Sequence, residues 1–252
     1  MENILVKCWI LGLSKSISVF DKHIEFILRF LNRHIHTAPP DELSFGKIYH
    51  FRDCEKILSC FLPFFGYHDD SAVLHIARKR IDILFQFTRQ KRYDIYVDGS
   101  KLKVVKKEWQ PYIINPDFYA DGHIALPDMH DYLLFAGLLP YLSHEEKVKA
   151  EIIVKWLFDE GYSGINHRYG FFYAHGGSFG LQNIVESFCA LGYGNDPRLS
   201  KAWNILNSKK TLDGKYILNG TLTKSYLPKE RVGKPSKWVT FYAMLANKEK
   251  LT

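Results

Sequence analysis

Methionine and cysteine are scarce in this chain of 252 residues, at 3 and 4 copies, and neither is spaced for chemistry. Cys8, Cys54, Cys60 and Cys189 form no Cys-x-x-Cys pair, which excludes the common zinc and dithiol redox motifs. Each sits in an apolar run, so four buried thiols in a reducing compartment are expected. There is no His-Glu-x-x-His, no P-loop or dinucleotide spacing, and no nucleic-acid motif. The apolar run from Tyr132 to Ser143 is too short to span a bilayer. The start, Met1 to Lys7, carries an acid and no small-residue cleavage pattern. These absences predict a cytoplasmic chain with no membrane span, no metal and no cofactor.

The composition itself is that of an ordinary globular domain, 46% hydrophobic and 24% charged, so residues 1–252 read as one domain with one core. Aromatic residues make up 15%, which places large flat side chains in the interior or around a pocket. The formal charge of +7 comes mainly from Arg78 to Lys107 and Lys201 to Lys237. Such segments serve as solvated helix faces and loops, or attract nucleic acid, anionic lipid or phosphorylated small molecules.

Apolar residues recur at three- and four-residue steps in four stretches, the stripe of an amphipathic helix. The stripes are Ile17, Phe20, Ile24, Ile27, Leu28, Leu31 and Ile35; Val73, Ile76, Ala77, Ile83, Leu84 and Phe87; Val148, Ile152, Ile153, Trp156 and Leu157; and Leu199, Ala202, Trp203 and Leu206. They predict outer helices. Each follows a more uniformly apolar segment, at Ile4 to Leu13, Phe51 to Phe65, Tyr132 to Leu142 and Leu181 to Leu191, while Trp238 to Ala246 stands alone. Helices apolar on most sides belong inside. The inner-to-outer connections are short and carry start signals: Asp70, the Ser143/Glu146 capping box, and Asp196 before Pro197. The outer-to-inner connections, 91 to 127, 161 to 179 and 207 to 235, are long. A small β-hairpin is expected near 93–107, around Tyr96-Val97-Asp98-Gly99. Self-similarity supports a repeat of helical hairpins: Gly66-Tyr67 and Asp70 recur at an offset of 126 as Gly192-Tyr193 and Asp196.

The stretch from Gly192 to Leu245 opens with Gly192-Tyr193 and Asp196-Pro197-Arg198-Leu199, passes an Asp213-Gly214-Lys215-Tyr216 turn, and ends in Lys234-Pro235-Ser236-Lys237-Trp238-Val239-Thr240-Phe241-Tyr242 leading a helix. These residues resemble the α/α toroid repeats of terpenoid cyclases and protein prenyltransferase β subunits, with a fainter likeness over residues 50 to 130. The resemblance implies an all-α chain, an α/α toroid of inner and outer helices in which the Asp-Gly turn, Trp238 and Thr240 stitch neighbouring hairpins together. Five inner and four outer helices fall short of the twelve of a closed ring, so a partial or open barrel is expected, with a homodimer across the open edge. The catalytic motifs of both families are missing. Aligned on Lys234-Pro235, the prenyltransferase zinc-binding His falls at Ala243, and no Asp-x-Cys occurs; the cyclase Asp-x-Asp-Asp acid is absent, and Lys210 stands where a Gln is expected.

If the inner helices aim their N-termini at one end of a cavity, the residues at those starts converge. That set comprises Arg52 and Asp53; Asp128, His130, Asp131 and Tyr132; Gln182, Asn183 and Glu186; and Trp238 and Tyr242. Helix N-termini receive a carboxylate or phosphate, or host their own aspartates. Asp128, Asp131, Glu186 and Asp53 are the candidate catalytic carboxylates. Asp128-Met129-His130-Asp131 suits acid-base work, and equally an N-cap with first-turn acids. The loop His167 to Gly180, with His175 and Gly176-Gly177-Ser178, closes over a ligand or simply connects two helices.

Three functions follow. The first is a toroid protein binding an apolar or isoprenoid-like small molecule in an aromatic-lined cavity. The second is a carbohydrate-active hydrolase or lyase with paired carboxylates. The third is a non-catalytic module whose basic outer face binds an acidic partner or nucleic acid.

Overall fold

The computed structural model describes residues 2–38, 52–88, 96–97, 113–114, 119–120, 123–124, 127, 129–159, 181–218 and 230–251. Helices dominate them: α1 (Glu2–Ile10), α2 (Ser18–His34), α3 (Asp53–Ser59), α4 (Ser71–Thr88), α5 (Met129–Leu138), α6 (His144–Asp159), α7 (Leu181–Ala190), α8 (Ser200–Asn207) and α9 (Lys237–Leu251). The odd-numbered helices coincide with the five uniformly apolar segments and the even-numbered ones with the four stripes. Successive odd helices are neighbours, α1 against α3, α3 against α5, α5 against α7, and α7 against α9. Trp9 of α1 meets Tyr242 of α9, with ring centroids 5.2 Å apart. Among the even helices, α2 lies against α4 and α4 against α6.

The helix starts obey the predicted capping chemistry. Asp70 Oδ1 accepts from the Ala72 and Val73 N–H groups at 2.9 and 3.2 Å. At α6, Glu146 Oε2 accepts from Ser143 N–H at 2.7 Å while Ser143 Oγ accepts from Glu146 N–H at 3.2 Å, a complete capping box. Asp196 accepts from Arg198 N–H at 2.9 Å ahead of the short 3-10 turn Pro197–Leu199. Ser236 caps α9 by accepting from Val239 N–H at 3.0 Å.

The 126-residue repeat extends to individual hydrogen bonds. Gly66 N–H bonds Pro63 C=O and Tyr67 N–H bonds Leu62 C=O; at the same offset, Gly192 N–H bonds Cys189 C=O and Tyr193 N–H bonds Phe188 C=O. Both glycines are left-handed, φ 98° and 86°, the geometry that ends a helix in a Schellman turn. A third copy closes α1, where Gly12 N–H bonds Trp9 C=O and Leu13 N–H bonds Cys8 C=O. Neighbouring hairpins rest on these turns: Lys15 N–H bonds Phe65 C=O at 2.8 Å, and Tyr67 Oη bonds Asp21 Oδ1 at 2.5 Å. The Asp213-Gly214 turn leads to Tyr216, whose N–H donates to Thr240 Oγ1 of α9 at 2.9 Å. Thr240 thus ties α9 to the preceding turn.

Several details differ from the sequence reading. The stripe on α6 is shifted, since Val148 and Ile152 are exposed while Ala150, Ile153 and Val154 are buried. The strand at Tyr96–Val97 pairs with Ile113–Ile114, beyond the expected limit of residue 107. Two further antiparallel pairs join Tyr119–Ala120 to His123–Ile124 and Tyr216–Ile217 to Pro235–Ser236. Finally, α9 is apolar on two sides and buried on one, with Phe241 and Met244 exposed. No disulfide links the four cysteines; Cys60 and Cys189 are buried, Cys8 and Cys54 half-buried. No described helix is long and apolar enough to cross a membrane.

Candidate functional site

The core between α1, α5, α7 and α9 combines aromatic rings with the Glu186 carboxylate. In α7 the run Val185, Glu186, Ser187, Phe188 and Cys189 is buried without interruption, so the helix has protein on every side over that length. Burying a carboxylate on such a helix is costly without polar neighbours. Glu186 acts on Tyr242 of the adjacent α9: burial raises the Tyr242 phenol's pKa well above its ordinary value, and the Glu186 charge raises it further. The phenol donates to Trp9 C=O at 3.2 Å. Trp9 also lies 6.1 Å from Phe61 and 5.7 Å from Phe64, and Tyr132 lies 5.1 Å from Phe188, measured between ring centroids. The Ser187 hydroxyl, next in sequence to Glu186, is buried with no hydrogen-bond partner among the described residues.

Of the predicted site residues, Glu186, Tyr242 and Tyr132 therefore belong to this core. Trp238 sits half-buried at the first turn of α9 with Lys237 Nζ 5.0 Å from its ring. Asp131 is buried and accepts two bonds from the buried Arg80, Nε at 2.7 Å and Nη2 at 2.8 Å. A carboxylate held in that fork is a structural anion. Arg52 is likewise engaged, donating to His34 C=O at 2.8 Å, Thr37 C=O at 2.7 Å and Glu55 Oε1 at 2.5 Å. His34 Nδ1 lies 2.7 Å from that same Glu55 oxygen. His130 is half-buried in the first turn of α5. Asp128 and His175 lie outside the described residues, and only the backbone of Asp53, Gln182 and Asn183 lies within them.

Sequence reasoning missed the partners Arg80, Glu55 and His34. Arg80 falls between stripe residues of α4, and a cation on a buried face is a signal that a buried anion exists elsewhere. The His167 to Gly180 loop also contains Gly176-Gly177-Ser178-Phe179-Gly180, the Gly-x-Ser-x-Gly spacing of a nucleophile elbow; it lies outside the described residues. Among the described residues, no group of three His, Cys, Asp or Glu is arranged to hold a metal ion.

Two cations of the basic segments are paired on the surface, Arg78 with Glu146 at 2.8 Å and Lys215 with Asp213 at 2.7 Å. No protein-family model, no curated protein and no solved structure matches this chain. The described residues define a mostly helical protein.

Proposed function

We propose that the chain is an α/α toroid whose inner helices bind an apolar, isoprenoid-like small molecule. The observation that carries this reading is the buried Glu186 carboxylate whose charge acts on Tyr242, the ring that packs against Trp9 in an aromatic core. Aromatic faces accept a hydrocarbon chain or an electron-poor centre, and a buried acceptor fixes one hydroxyl or cationic end. The order of neighbours from α1 to α9 supports the toroid, and the missing zinc ligand and acid motif direct the activity away from the family reactions. Fold likeness alone does not assign a reaction.

The carbohydrate-active reading loses one carboxylate, because both oxygens of the buried Asp131 are taken up by the Arg80 fork. The interaction reading is weakened by the paired surface cations. A homodimer remains part of the proposal, with the exposed Phe241 and Met244 of α9 as apolar surface for it, and a monomeric mass in solution would overturn it.

The test is native mass spectrometry and thermal unfolding with a fifteen-carbon isoprenoid alcohol, a saturated alcohol of equal length and a disaccharide. The isoprenoid is expected to bind one per chain and raise Tm, with the gain lost in Glu186→Gln. Stabilisation by the disaccharide alone overturns the reading.

A further inference from the structure

A second constellation lies where the end of α2 meets the start of α3, and it contains a thiol. Cys54 Sγ is 3.8 Å from His34 Nε2. On the opposite side of that ring, His34 Nδ1 is 2.7 Å from Glu55 Oε1. Glu55 is in turn fixed by Arg52 Nη1 at 2.5 Å, and Arg52 is itself anchored on the carbonyls of His34 and Thr37. The Phe30 ring covers one side of the imidazole, its centroid 5.1 Å away. The order is thiol, imidazole, carboxylate, guanidinium. Glu55 and Arg52 are buried, while His34, with its side chain 16% exposed, and Cys54 are half-buried.

We propose that Cys54, His34 and Glu55 form a nucleophilic relay that cleaves activated acyl groups, esters or thioesters. Cys54 is the nucleophile, His34 the base and acid, and Glu55 with Arg52 the positioning pair. A carboxylate bonded to Nδ1 directs the free lone pair of Nε2 at the thiol, the geometry by which an imidazole activates a nucleophile. The Sγ proton passes to His34 Nε2 as Sγ bonds the acyl carbon. The bond from that carbon to the leaving group breaks, and the leaving group takes the proton from His34. Water then attacks the thioester, giving its proton to His34; the acid departs and Sγ recovers its proton. No electrons are exchanged with any cofactor.

The same contacts also tie α2 to α3, so the test separates chemistry from packing. The probe is p-nitrophenyl acetate at pH 7, with nitrophenolate release followed and acetylated peptides located by mass spectrometry. The wild-type chain is expected to acetylate Cys54 at least about 10-fold faster than the half-buried Cys8, and to turn over. Turnover is expected to vanish in Cys54→Ala and to fall roughly 100-fold in His34→Gln, the scale of general base catalysis. Glu55→Gln, which keeps a hydrogen bond but not the charge, is expected to shift the pH profile of Cys54 acylation. Among the described residues, Glu55, Arg52 and Cys54 face His34 and enter that profile. Equal labelling of Cys54 and Cys8 in the wild-type chain, whatever the variants do, overturns the proposal.

Discussion

Arg80 and Asp131 form a fork of two bonds, at 2.7 and 2.8 Å, with both side chains removed from solvent. The pair joins α4 to α5, so one ionic contact links an even helix to its odd neighbour inside the core. Arg80→Met leaves Asp131 buried without its fork and is expected to cost about 3 to 5 kcal/mol; Asp131→Leu should cost a similar amount. The double variant is expected to recover most of that loss, because two apolar side chains need no partner. Urea unfolding of the four chains as a double-mutant cycle checks this, and additive single losses would refute it.

Gly137 of α5 sits against the 3-10 turn Leu62–Phe65, where an added Cβ would lie 2.8 Å from Pro63 Cβ and 3.0 Å from Phe64 Cε2. The Pro63 ring is buried and tied to the backbone, so it has little freedom to retreat. Gly137→Ala is therefore expected to destabilise by about 1 to 3 kcal/mol through overpacking, although Ala is the better helix former. A thermal melt in which Gly137→Ala gains stability would show that the turn moves aside.

The repeated turns offer a matched pair of substitutions. Gly192 has φ 86° and open space around an added Cβ, so Gly192→Ala should cost only the left-handed penalty of about 1 to 2 kcal/mol. At Gly66, φ 98°, the same Cβ meets the Lys15 methylenes at 3.2 Å. Gly66→Ala is expected to cost at least as much, and Lys15→Ala should bring the two costs together. Denaturant midpoints of the single and double variants decide it.

Acid sensitivity should report the α6 capping box. Partial burial raises the pKa of the Glu146 carboxyl, but the bonds from Ser143 and from Arg78 outweigh it and hold the group below its ordinary value. A depressed carboxylate contributes stability that is complete above its unfolded pKa, near 4.3, and lost as pH falls through the lower folded value. Glu146→Gln keeps a capping side chain without the charge. The wild-type chain should be more stable by about 0.5 to 1 kcal/mol at pH 7, with the difference shrinking below about pH 4. A difference that stays constant to pH 3 would contradict this.

What was legible in the amino-acid order is what local physics controls. Asp70, Ser143 with Glu146, and Asp196 act on amides two or three residues away, and their roles follow from spacing alone. The 126-residue repeat was readable because glycine is required at φ near 90° and Tyr67 and Tyr193 follow it. Its third copy escaped because Leu13 stands in the tyrosine place. The fork from Arg80 to Asp131 spans 51 residues, and the bond from His34 to Glu55 spans 21. Residue type announces that a buried ion needs a counter-ion, but only the stacking of hairpins says which one. The same limit hid the Cys54 neighbourhood, since Cys54 reads as one more buried thiol until α2 delivers His34 beside it.

The bond between Tyr242 and Trp9 spans 233 positions, and its consequence is temporal. Each hairpin is made of local contacts that form quickly, whereas a seam between distant segments waits on a slow search. During synthesis Trp9 of α1 leaves the ribosome long before Tyr242 of α9 exists to meet it. The seam between α1 and α9 is thus the last part of the molecule to close and the first place where another chain's α9 can be exchanged for its own. Folding at high concentration should accordingly trap interlocked dimers that dilution before folding avoids.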